Sequence, residues 1–518
     1  METISVLSVP QLLEKAAKEN PHKEAVYDLR RRITYGDLHK EVHRLASALV
    51  SLGIKQGDRV GVCLPNWLET VQLFFAIAKI GAIAVPFNPK YRQHEVEHIM
   101  KNSGMKVVFI CEELAKNTDL DLIQAKVGKV ITVRFTKAGI DSFEQLIARS
   151  PEQPLPAVEL DSYRDLFCIL YTSGTTGSPK GVMITHRSVV QSGIAIANSL
   201  KCNANDVFLI CTPIFHIFGM ACNLMSAVYS QAKMVLQERY SPKEALQLIE
   251  REKVTIHHAV PAMFKMELNI LNFQLFDLSS LRAGITGADV CPLDTVKAIR
   301  EKMGMVLCIS FGTTETGAVT ITPFEATEDR IFETVGKVLE GNEVKIVNDR
   351  REVLPPGQIG EIACRGFGVM KGYYNMPKQT AEVLDQDGWY YTGDLGVMDE
   401  HGYIKFVGRK KELIIRGGYN IYPKEIENVL QQHPSVLASA VIGLPDPVLG
   451  ESVYAVIQPK EGVHVTETEI LEFLRPLLAD YKLPNKVVFV PQFPITASGK
   501  IQKGKLKDML KVFEHREG

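Results

Sequence analysis

The sequence predicts an α/β protein, with a large N-terminal part built on mostly parallel sheet and helices, followed by a small α+β unit. Three observations predict it. Apolar strand-like runs alternate with amphipathic helical stretches between residues 34 and 133, the pattern of right-handed crossovers between parallel strands. An apolar strand at 166–171 runs straight into a glycine-rich loop, a usual place for a phosphate loop in such folds. Beyond residue 410 the order becomes helix, strand, strand, helix, strand.

Residues 34–52 read as a helix. Thr34 caps it with Asp37 three residues on. Leu38, Val42, Leu45, Leu49 and Leu52 share one face, and Gly53 ends it. Strands follow at Arg59–Leu64 and Ile83–Phe87, with a helix at Leu68–Ile80 between them. Residues 107–110 and 130–133 continue the alternation. Residues 134–165, polar and carrying Pro151, Pro154 and Pro156, read as a connector. In the last part, 423–432 and 467–478 read as helices, and 438–443, 452–459 and 487–490 as strands.

The 518 residues are enough for two to four structural units. A hydrophobic share of 46% with 23% charged residues describes a globular protein, and a net charge of −1 excludes a broad nucleic-acid footprint. Nine scattered cysteines lack metal or disulfide spacing and read as buried free thiols in a reducing cytosol. The N-terminus has no basic region leading into an apolar core, and no apolar run is long enough to cross a bilayer. A cytoplasmic protein is expected. The sequence does not decide between a monomer and a homodimer.

Several strings carry chemistry. In 171–182, Gly174, Gly177 and Gly181 let backbone N–H groups close on an oxyanion. Thr172, Ser173, Thr175 and Thr176 add donors and Lys180 a point charge, so the stretch is a phosphate cradle. It is not the Walker-type loop, whose glycine spacing and ending differ. In 310–315, Phe311 can stack on a base, Gly312 leads into Thr313 and Thr314, which can bond phosphate oxygens, and Glu315 can hold Mg²⁺ against them. Asp394 closes the string 388–394, where a carboxylate can accept ribose hydroxyls. The basic string 408–420 and the lysine-rich tail from 500 would, from composition alone, be solvated surfaces.

With these motifs in this order, the chain resembles the adenylate-forming superfamily along essentially its whole length. That superfamily includes acyl-CoA synthetases, luciferases and peptide-synthetase adenylation domains. The resemblance implies a large domain of layered sheets over residues 1–409 and a small mobile domain over 410–518, hinged at Lys411. It implies that residues 172–177 and Lys180 fold over the ATP phosphates, with Thr172 and Glu315 at Mg²⁺. Gly287 and Ala288 belong to a turn under the adenine; there Thr286 stands where the family has a second glycine, narrowing the acyl site. Phe311 stands where the family usually has Tyr. Asp394 and Arg409 match the ribose-binding pair, His216 a residue near the substrate carboxylate, and Lys500 the lysine that assists adenylation. Gly417 and Gly418 match the backbone lining the pantetheine tunnel for coenzyme A. The implied activity is conversion of a carboxylic acid to acyl-AMP, then transfer to CoA. Ile214, Phe215, Phe218, Met220 and Met263 suggest an apolar cavity and hence an aliphatic or aryl acid, and the resemblance to stand-alone acyl-CoA synthetases implies a medium- or long-chain fatty acid. Alternatives are an aryl-acid or succinylbenzoate substrate, a carrier protein as acceptor, a luciferase-like oxygenase, and a catalytically silent nucleotide-binding protein.

Overall fold

The computed structural model describes residues 7–150, 154–172, 179–289, 291–494 and 501–517. The chain divides into two compact units, residues 1–343 with 364–390 and residues 344–363 with 391–518. Among the described residues, the first unit holds two large sheets. One has seven strands, with central order 107–110, 59–63, 83–86, 166–172, all parallel, and 180–185 added antiparallel at one edge. The other has nine strands; its central members 233–236, 207–210, 256–257, 283–286 and 306–313 are parallel. An α/β architecture with parallel sheets is what the alternation predicts.

Local chemistry explains the elements. The helix Tyr35–Ser51 starts where the Thr34 side chain accepts the Asp37 N–H. It buries Leu38, Val42, Leu45 and Leu49, each contributing about 1.5–3 kcal/mol of apolar burial. It stops where Gly53 takes a positive φ of 79°. The stretch 134–165 departs from the expected connector. Ser142 caps a helix at Phe143–Arg149 in a reciprocal box with Gln145, and Phe143 and Leu146 are buried beneath it. Its local cap and two apolar anchors outweigh the polar composition.

A four-stranded sheet in the order 342–347, 360–366, 390–398 and 404–409, its last two strands antiparallel, gives most of its residues to the second unit. The rest of that unit is a sheet of five strands, 419–421, 414–416, 450–459, 436–446 and 486–489, with helices Pro423–Leu430 and Glu467–Leu474 packed on it. The latter helix is shorter than its apolar pattern suggests, because Pro476 has no N–H to continue the ladder.

Lys503 opens the helix Lys503–Glu517 and lies 2.9 Å from Glu412 Oε2 and 2.7 Å from Glu427 Oε1. Glu427 is buried and also accepts the Val441 N–H. Burial lowers the Lys503 pKa, and the two carboxylates more than offset this, so it is raised. Lys503→Met should lower the stability of this unit by about 2–3 kcal/mol, since two carboxylates lose their shared cation in a partly screened setting. Urea unfolding followed from this unit would show it, with Lys503→Arg recovering most of the loss. An unchanged midpoint in Lys503→Met would contradict it.

Candidate active site

The first motif is flanked by a hairpin of strands Leu166–Thr172 and Lys180–Thr185, which place Thr172 opposite Lys180 at its mouth. Ser173, Gly174, Thr175, Thr176 and Gly177 lie outside the described residues. The mouth of the hairpin is anchored to the helix Gln93–Ser103. Tyr171 OH donates to Asn102 Oδ1 at 2.6 Å, and the His98 Nε2–H donates to the Pro179 carbonyl at 2.8 Å.

The second motif is also a hairpin. Strand Val306–Thr313 turns back into Gly317–Ile321, and Thr314 and Glu315 occupy the turn. The Thr316 hydroxyl accepts the Thr313 N–H at 2.9 Å and holds that turn. Gly312 is needed on steric grounds, because a Cβ there would sit 2.0 Å from the Gly317 carbonyl oxygen. Phe311 is almost fully buried. Gly287 and Ala288 follow the adjacent parallel strand Ala283–Thr286. Ala288 has a φ of 68°, a left-handed conformation that costs a residue with a Cβ about 1–2 kcal/mol. Thr286 is fully buried.

A third segment joins the two hairpins. Tyr373 OH donates to Glu315 Oε1 at 3.0 Å, and Lys180 Nζ lies 4.7 Å from the Tyr373 ring centroid. The Met370 N–H donates to the Glu315 carbonyl at 2.8 Å. Burial first, then the Glu315 charge, raises the pKa of both Tyr373 and its neighbour Tyr390, so both hydroxyls stay protonated. Lys180, Glu315 and Tyr373 therefore form one cluster of cation, anion and aromatic ring. The cluster and the threonine hydroxyls offer hard oxygen donors beside a cation, a set that fits a polyphosphate with Mg²⁺.

Tyr373 is absent from the motifs read in the sequence, and Tyr390 falls within the string 388–394 with no role assigned to it. The string 371–377 carries turn signals, but no local pattern pairs Tyr373 with a carboxylate 58 residues earlier. The pair His257–Glu267 was also invisible. His257 Nε2 lies 3.0 Å from Glu267 Oε2 with both side chains fully buried, and Tyr240 OH lies 3.1 Å from Glu267 Oε1.

His216 is half-buried in the turn before the π-helical segment Phe218–Met225, and its Nδ1 accepts the Phe218 N–H. Asn66 fixes this stretch. It donates to the carbonyls of Ile210 and Thr212 and accepts the Ile214 N–H at 2.9 Å. Ile214 and Met220 are buried there.

The second unit holds the remaining expected residues. Asp394 and Arg409 are cross-strand partners, with Arg409 Nε 3.5 Å from Asp394 Oδ1. Asp394 is buried, and its N–H donates to the Thr392 hydroxyl. Lys411 lies in the 3₁₀ turn Lys410–Glu412 that directly follows. Lys410 bonds Glu361 and Asp349. Gly417 and Gly418, with φ of 55° and 84°, form the two-residue turn of the hairpin 414–421; two positive φ values in succession are what such a turn demands. Lys500 lies outside the described residues.

The hairpin that carries Lys180 and the turn that carries Glu315 are thus locked together through a lysine–tyrosine–glutamate cluster. The model of the AMP-binding enzyme family matches residues 13–374, and that of the AMP-binding enzyme C-terminal domain matches 425–500. The chain belongs to this family of adenylate-forming enzymes. Within it the chain is an acid–thiol ligase of the acyl-CoA synthetase class. It is 34% identical over 537 residues to the mitochondrial medium-chain acyl-CoA ligase ACSF2 of Homo sapiens, covering 97% of this chain and 87% of that protein. The crystal structure of ATP-bound MatB from Rhodopseudomonas palustris superposes with a TM-score of 0.88 at 30% identity, over 98% of this chain and 99% of that one. The o-succinylbenzoate CoA synthetase MenE of Bacillus subtilis, in complex with its acyl-adenylate OSB-AMP, gives 0.84 at 29% identity, over 97% and 99%. Among the described residues no helix is long and apolar enough to cross a membrane.

Proposed function

We propose that the chain activates a medium- or long-chain fatty acid with ATP and passes the acyl group to CoA. The carboxylate oxygen attacks the α-phosphorus of ATP, the bond to the β-phosphate oxygen breaks, and pyrophosphate leaves. The CoA thiolate then attacks the acyl carbon, and AMP leaves. Both reactants of the first step are anions, so the site must neutralise charge and hold them in line. Lys180 and the 172–177 loop take the phosphates, Asp394 and Arg409 the ribose, and Phe311 with Gly287 and Ala288 the adenine. Glu315 and Thr172 would hold Mg²⁺, which when bound supplies charge neutralisation at the phosphates. His216 lies at the substrate carboxylate.

The observation that carries this reading is the Lys180–Tyr373–Glu315 cluster, which sets a cation and a carboxylate at the mouths of the two hairpins. The apolar residues Ile214, Met220 and Met263 support an aliphatic acid, as does the likeness to a medium-chain ligase. The likeness to a succinylbenzoate synthetase, and the bulk that Thr286 adds, support an aryl acid as the second reading.

The small domain of this reading is 410–518, turning about Lys411. The 3₁₀ turn there and the separate C-terminal family match support that division. The turn brings Gly417 and Gly418 to the pantetheine and withdraws Lys500. Lys500→Ala should slow acyl-AMP formation by about 10²-fold and leave transfer from supplied acyl-AMP intact. Equal loss in both half-reactions would remove Lys500 from this role.

The deciding experiment is AMP release with and without CoA, on acids from acetate to palmitate and on benzoate and succinylbenzoate. CoA-dependent turnover centred on hexanoate to palmitate supports the fatty-acid reading. Turnover on aromatic acids alone replaces the substrate and keeps the mechanism. Pyrophosphate exchange without CoA-dependent turnover points to a carrier-protein acceptor.

A further inference from the structure

We propose that Tyr373 is the positioning residue of the nucleotide site, its ring holding Lys180 and its hydroxyl orienting Glu315, so that these opposite charges face the phosphates and metal instead of each other. The proposal rests on the ATP–Mg²⁺ reading above.

The segment around Tyr373 is a strap stitched to both hairpins. On one side the Lys371 N–H donates to the Met183 carbonyl, the Met183 N–H to the Gly372 carbonyl and the Tyr374 N–H to the Gly181 carbonyl, at 3.0, 3.0 and 2.7 Å. Tyr373 itself bridges Val182 in antiparallel fashion. On the other side the Met370 N–H holds the Glu315 carbonyl. The Thr380 hydroxyl accepts the Tyr373 N–H at 2.9 Å, which fixes where the side chain starts.

That side chain is 5% exposed and touches both charged groups. An aromatic face attracts an ammonium, and a phenol hydroxyl donates to a carboxylate. Among the described residues Lys180 and Glu315 form no ion pair with each other, although the same ring touches both. A direct pair would neutralise both groups before any ligand arrived. A carboxylate pinned through Oε1 also presents Oε2 in a fixed direction. The Tyr390 hydroxyl is hydrogen-bonded to that of Tyr373.

The test uses Mn²⁺ as the probe, with the non-reacting ATP analogue that carries a methylene between its α- and β-phosphorus. Free Mn²⁺ is read by electron paramagnetic resonance. Tyr373→Phe removes the hydroxyl and keeps the ring. It should weaken Mn²⁺ uptake about tenfold, the worth of one hydrogen bond to a charged group. Analogue binding without metal should stay within about twofold. Tyr373→Leu removes the ring as well and should weaken both. On a Glu315→Gln background, Tyr373→Phe should have no further effect on Mn²⁺, because the two act as one unit. Unchanged Mn²⁺ uptake in Tyr373→Phe, or additive losses in the double variant, overturns the proposal. A wild-type protein that takes up no Mn²⁺ with the analogue overturns the ATP–Mg²⁺ reading itself.

Discussion

Glu315→Gln is expected to slow acyl-AMP formation by about 10²–10³-fold, the usual cost of removing one preorganised electrostatic group from a charged transition state. The substitution preserves shape. The amide oxygen can still accept the Tyr373 hydroxyl that Glu315 Oε1 accepts at 3.0 Å, and the Met370 N–H still bonds the main-chain carbonyl. The change is therefore one of charge. A neutral amide is a weaker ligand for a hard divalent cation than a carboxylate. Release of AMP from ATP and acid should collapse, while thioester formation from supplied acyl-AMP, which has already lost pyrophosphate, should change only a few-fold. The melting temperature should hold. Comparable losses in both half-reactions would mean that Glu315 shapes the turn instead of serving the phosphates.

The second large effect concerns stability. His257→Leu should cost about 3–5 kcal/mol, since it strands a carboxylate in the core. Glu267 and His257 are both fully buried, so water cannot solvate the orphan. Replacing both residues by leucine should recover much of the loss, with Tyr240 OH keeping its bond to the Met263 carbonyl at 2.8 Å. The pair also predicts a pH dependence. Burial alone lowers the His257 pKa, but the Glu267 charge outweighs it, and the value is raised from 6.5 to about 10. The folded state thus binds a proton that the unfolded state releases. The contribution is complete below pH 6.5 and is lost as pH rises from there through about 10. Urea midpoints between these limits should fall faster for the wild type than for the double leucine variant. Parallel curves would show that the pair is not charged.

Where a feature depends on neighbours in sequence, it is readable in advance. The helix Tyr35–Ser51 follows from its cap and its spacing. The stretch 134–165 differs from the expected connector because the local Ser142–Gln145 box outweighs its polar composition.

The nucleotide site divides along that line. The sequence by itself determined that Lys180 follows a glycine-rich loop, that Glu315 ends a Ser-Phe-Gly-Thr-Thr run, and that Asp394 and Arg409 belong to separate strings. These are matters of covalent order and of short-range backbone sterics. Only the tertiary structure decided that Asp394 and Arg409 would be cross-strand partners, that Tyr373 would stand between Lys180 and Glu315, and that His257 would meet Glu267. Those meetings join residues far apart in the chain or on different elements. Burial then makes them matter, because a charge or hydroxyl withdrawn from water must be satisfied by whatever group the fold delivers to it.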